Sequence, residues 1–211
     1  MDINLISTLG SAALGALAGS LSAFLLGRVQ QARDQKNRDH AALLSTQLAL
    51  ISQWTILEQM RKGLLEPFRN NPESFLHMPV YQTYEGPLRV DFSKLAFIAN
   101  SNDPDLFQQI HIAEQAYLTA MGAHHTRNQL LEKFYAESKV ESFDPETGHC
   151  SGTAPRHTAH MLKLATTSLY GCVDGALDKL DVETRNVGKF IKSNFKGRRA
   201  LHTEPLVGEK G

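Results

Sequence analysis

Histidine and cysteine are the side chains in this sequence best suited to chemistry, and four of them fall close together. His149-Cys150 lies in a stretch holding Pro145, Gly148 and Gly152, and His157 and His160 follow three apart on one face of a helix start. Zinc takes histidine nitrogen and cysteine sulfur in a tetrahedral set, so these four are the natural place to look for a metal. Their spacing matches no recognised zinc pattern, and the chain holds neither HExxH nor a CxxC pair. A histidine pair at an exposed helix start reads more simply as polar surface. No metal ligand and no cofactor is assigned.

A second cluster, His124, His125, Arg127 and Asn128, falls in the middle of a long helical pattern. His124 and Asn128 share the stripe that carries Tyr117 and Leu131, which places them toward the core. If the helices pack as antiparallel hairpins, Gln47 and the region around Cys172 reach the same level. The sequence therefore predicts a buried polar layer of Gln47, His124, Arg127 and Asn128, whose groups satisfy one another and fix helix register. The sharper alternative is a small-ligand pocket or a catalytic histidine. Other catalytic signatures are missing: no GxSxG, no P-loop, no GxGxxG and no carboxylate pair on a core face. No catalytic residue is assigned, and an all-helical chain of this kind is more often a binding or assembly module than an enzyme.

The elements that would position these residues are helices, because apolar residues recur at 3–4 spacing almost throughout. No proline or glycine interrupts Arg28 to Lys62. Residues 28–40 are polar apart from Val29 and Ala32 and read as a solvated stalk. Leu43, Leu50, Trp54, Leu57, Leu64 and Phe68 then form a stripe that Gln47 and Arg61 interrupt, and Gly63 and Pro67 mark its end. The stretch 70–91 is irregular, with Phe75, Tyr81, Tyr84 and Phe92 expected to pin it. Asp91 is placed to cap a short helix through Leu95, Phe97 and Ile98. Asp103-Pro104-Asp105 signals the start of a second long helix with Leu106, Ile110, Ala113, Tyr117, Ala120, Leu131 and Tyr135 on its inner face. Residues 142–153 read as a loop. Thr153 and Pro155 open a third long helix with Leu162, Ala165, Leu169, Cys172, Ala176, Leu180, Val187 and Ile191 inward and Gly197 at its end. The basic residues Lys189, Lys192, Lys196, Arg198 and Arg199 read as a solvated helix end.

The N-terminal run reads differently. Ile3 to Gly27 carries no charged residue, and Arg28, Arg33, Lys36 and Arg38 follow. A bilayer core about 30 Å thick needs roughly 20 apolar residues. The run is too long, and its basic flank on the wrong side, for a cleaved signal peptide. The expectation is a single transmembrane span over residues 1–27, with the N-terminus outside and the rest cytoplasmic. Two cysteines in 211 residues are no disulfide framework. Ser7, Ser11, Gly15, Gly19, Ala23 and Gly27 recur every four residues and would let two such helices approach closely.

The predicted architecture is all-α: an anchor over 1–27, a helical stalk over 28–40, an antiparallel up-down bundle of three long helices and one short over 41–197, and a disordered tail over 198–211. Formal net charge is zero, from 22 basic and 22 acidic residues, so no global field draws nucleic acid. The partners expected are the lipid bilayer, a second copy of the chain and a cytoplasmic protein. The functional expectation is a membrane-anchored interaction or scaffold module that self-associates through its span. A membrane-active effector whose span perturbs the bilayer is the alternative, and an enzyme or ligand-binding domain around His124 comes third.

Overall fold

A computed structural model describes the backbone of residues 3–80, 89–143, 150–202 and 204–206, with side-chain surroundings given outside 3–19, 21 and 140–151. The chain is mostly helical. It forms two compact units, Met1–Ala42 and Leu43–Gly211.

With nothing between Arg28 and Lys62 to break it, helix α1 runs from Ile3 to Met60. In the first unit every described side chain from Ser22 to Arg33 is exposed. Local pairs one turn apart supply what support it has. Gln30 donates to Asp34 at 3.3 Å, Gln35 donates to Asp39 at 2.7 Å, and the Arg28 guanidinium lies 4.7 Å from the centre of the Phe24 ring. Such pairs stabilise a helix by about 0.2–0.5 kcal/mol each.

The expected membrane span is corrected here. Among the described residues, no helix is long and apolar enough to cross a membrane. Absence of charge is not the same as apolarity: Asn4, Ser7, Thr8, Ser11, Ser20 and Ser22 dilute the run, and each polar group left without water would cost free energy in lipid. The single-pass placement, with an outside N-terminus and a cytoplasmic domain, falls with the span. The side chains of Ser7, Ser11, Gly15 and Gly19 lie outside the described residues, while Ala23 and Gly27 are exposed.

In the second unit α1 buries Leu43, Leu50 and Leu57, and the turn after it buries Leu64, seven residues apart and each at most 1% exposed. The helix ends where Gly63 and Pro67 stand, through a π turn at Arg61–Leu65 and a 3-10 turn at Glu66–Phe68. Glu58 ties down that exit, accepting from Arg61 at 2.7 Å and pairing with Lys62 at 3.1 Å. A short helix α2, Ser74–His77, follows. Asp91 caps a 3-10 helix at Phe92–Asn100, its carboxylate accepting from the Ser93 N–H. The cap was expected; the tighter helix was not. Phe75 packs on Leu131, Phe134 and Leu162, and Phe92 meets Phe107 and His111 edge-on. Tyr81 and Tyr84 lie outside the described residues.

Helix α3, Asp105–Glu137, starts behind Pro104, but no side-chain cap bond forms there. Its inner face ends on Phe134, with Tyr135 59% exposed. A two-stranded antiparallel ribbon, β1 Lys139–Phe143 with β2 Cys150–Thr153, replaces the expected loop. Its register slips between Val140 and Ser142, as a bulge does. Helix α4, Arg156–Asn194, buries Thr166 and Val173 where Ala165 and Cys172 were expected. The Thr166 hydroxyl donates to its own helix at Leu162 O, which removes the polar objection to burial.

The bundle is not up-down throughout. Thr158 at the start of α4 bonds Glu137 at the end of α3, so that pair is an antiparallel hairpin. Gln47 meets Thr184 and Tyr170 meets Leu65, so α1 also runs opposite to α4. Helices α1 and α3 are therefore parallel, and the connection must bring the chain back. It descends beside α3: Met78 and Pro79 lie at Arg127, Arg89 at Glu114, and Phe92 at Phe107.

Candidate functional site

Parallel α1 and α3 separate the residues predicted to form one polar layer. Gln47 sits at Thr184, near the start of the bundle, while His124, Arg127 and Asn128 lie well along α3. The sequence placed all four at one level because it assumed a hairpin between α1 and α3. The structure instead shows three polar sites inside the second unit.

The first centres on Arg127, which is fully buried. Its guanidinium donates to the carbonyls of Met78 and Pro79, the latter at 2.8 Å, and to Asn128 Oδ1 at 3.2 Å. Asn128 reaches back to His124 at 3.2 Å. No carboxylate among the described residues pairs with Arg127. Burial lowers its pKa from the ordinary arginine value, yet a guanidinium stays charged in proteins. Five donors in a fixed fork suit it to gather carbonyls, so this site anchors the returning connection onto α3. That is a positioning task, with no free functional group aimed at solvent.

The second site, missed by the sequence reading, is Glu114. It is 3% exposed, accepts from Gln53 and pairs with Arg89 at 3.0 Å. The neighbouring Tyr117 hydroxyl is buried with no hydrogen-bond partner among the described residues, and burial raises its pKa. Glu114 follows Ile110 by one turn on the inner stripe, which was the available signal.

The third site is Gln47, with no exposed surface. Its amide donates to Thr184 O at 3.0 Å and to His202 O, and its oxygen accepts from the Leu201 N–H at 2.8 Å. Residues expected as a disordered tail thus make specific bonds to the bundle. Nearby Glu183 is 9% exposed. Burial raises its pKa, the Asp103 charge adds to that, and a hydrogen bond from Asn186 opposes both.

The outward face is simpler. A groove of about 370 Å³ runs along the α3–α4 seam, with Ile112, Ala116, Gly171, Cys172 and Gly175 in its lining and Lys179 at its edge. A Cβ added at Gly171 or Gly175 would meet nothing within 4 Å, so both glycines face open space. His157 and His160 are exposed. No group of three or more His, Cys, Asp or Glu among the described residues is placed to hold a metal ion, and His149 lies outside them.

A further apolar surface lies in the first unit. Phe24, Leu25, Leu26 and Val29 are 55%, 55%, 70% and 51% exposed. At 100° per residue they cover more than half the circumference of one helix, and a helix that apolar normally has something against it. Neither a protein-family model, nor a characterised protein, nor a solved structure matches the chain.

Proposed function

We propose that the chain is a helical assembly module. Its first unit pairs with the same unit of a second copy, and its second unit offers the α3–α4 groove to a partner protein. The observation that carries the reading is the exposed cluster of Phe24, Leu25, Leu26 and Val29. Contiguous exposed apolar side chains of this size mark interaction surfaces, because removing them from water gains about 25 cal/mol per Å². A single helix cannot cover itself. A second copy presents the same face, and a two-fold pair is self-complementary. Among the described residues Arg127, Glu114 and Gln47 each bond other protein groups, which supports a positioning role for them.

Sedimentation equilibrium of the full chain tests the reading. Wild type should assemble, Leu25→Glu with Leu26→Lys should shift the mass to the monomer, and Leu164→Glu, on an equally exposed site of α4, should leave it unchanged. A monomeric wild type, or an assembly that the double variant does not weaken, contradicts the proposal.

A further inference from the structure

Beyond α4 the backbone turns at Gly197, whose φ of +77° suits glycine and few other residues. Arg198 N–H donates to Phe195 O at 3.0 Å, and the chain then passes back along α4 as far as Asp181. Backbone groups hold this segment. Gln47 accepts from Leu201 N–H and donates to His202 O, so one side-chain amide holds both main-chain groups where the segment bends. Asp181 Oδ1 accepts from Leu206 N–H at 2.7 Å, while its Oδ2 accepts from Arg185 at 3.0 Å.

Side chains of the segment contribute less. Leu201 is 52% exposed and Pro205 is exposed. His202 is half-buried, and its Nε2 is enclosed without a hydrogen-bond partner among the described residues. An attachment through main-chain bonds, with a leucine left largely in water and a ring nitrogen unsatisfied, is specific in geometry but weak in apolar burial. Gln47, in contrast, is also held by a bond independent of the segment, to Thr184 O at 3.0 Å.

We infer that Gln47 and Asp181 form a seat for a bent peptide main chain, filled in cis by the segment that carries Leu201, His202 and Leu206 and able to take the same segment of a second copy when this strap is released. Recognition rests on main-chain bonds to these two side chains, which any sequence able to adopt the same bend can make. Intramolecular occupancy keeps the seat closed, because the tethered segment is present at high effective concentration.

The test uses the full chain and a fluorescein-labelled peptide of residues 198–206, read by anisotropy. Leu201→Pro with Leu206→Pro removes both strap donors, since proline has no N–H, and leaves the seat untouched. Wild type should bind the peptide at least ten-fold more weakly than this variant does. Adding Gln47→Leu should abolish the gain while circular dichroism stays helical. Absence of peptide binding by a folded double-proline variant overturns the inference, as does equal binding with and without Gln47. Should the proline variant not fold, amide hydrogen exchange of wild type decides. Leu201 and Leu206 amides exchanging together, at least ten-fold faster than the buried core of α4, supports a releasable strap, and exchange only through global unfolding overturns it.

Discussion

Helix α1 passes through two environments without a break, and the contrast separates what makes a helix from what makes a fold. Between Ser22 and Arg33 every side chain is exposed, and support comes from neighbours one turn away. From Leu43 onward a leucine every seventh residue is buried to 1% or less. Helix runs unbroken through both parts. Only the second gains the burial that makes helical structure stable in a protein, since isolated helices are marginal in water. The first part therefore has apolar surface looking for cover, and the second has already found it.

The largest expected effect sharpens this contrast. Leu57→Ala should destabilise the chain by about 2–5 kcal/mol, by removing a buried side chain and leaving a cavity. Leu26→Ala in the same helix should change the unfolding midpoint of the monomer by under about 0.5 kcal/mol. Urea unfolding at low protein concentration measures both, and equal losses would erase the distinction between the two parts.

A smaller effect concerns the path of the connection. Arg127→Met should cost about 1–3 kcal/mol, because the carbonyls of Met78 and Pro79 lose their donor and the former is buried. Amide exchange should then rise around 76–79 more than in the core of α4. An unchanged unfolding midpoint would mean that Arg127 does not hold the return segment.

The smallest effect is tied to pH. Burial raises the Glu183 pKa above its ordinary 4.5. The folded state then holds the proton more tightly than the unfolded state, so stability is lost as pH rises from 4.5 through the raised folded value. Glu183→Gln should raise the thermal midpoint at pH 7, with the gain vanishing below pH 4.5 where both states carry a neutral group. A gain that is independent of pH would point to packing rather than ionisation.

Much of the helical framework was legible in the sequence. The leucine stripe of α1, the Asp91 cap and the Pro104 start of α3 all follow from local rules that tertiary structure did not override. Of the four residues read as one polar layer, Gln47, His124 and Arg127 are buried and Asn128 is half-buried, and Gln47 lies at a different level from the other three. Which helices run parallel depends on the path of residues 69–104, and no local pattern reports that path. The strap on Gln47 was illegible for a related reason: it is held through its main chain, which every sequence possesses. The ribbon hid behind Pro145 and Gly148, which signal a turn without saying whether the flanks pair. The membrane span failed because an uncharged run was read as an apolar one.

The measurement that tests the central claim most directly is amide hydrogen exchange of the full chain at rising protein concentration. If the first unit assembles through its exposed apolar face, amides of residues 22–33 gain protection as concentration increases, while those of 47–57, already packed within one chain, do not change. Protection of residues 22–33 that stays the same across that range would contradict the account.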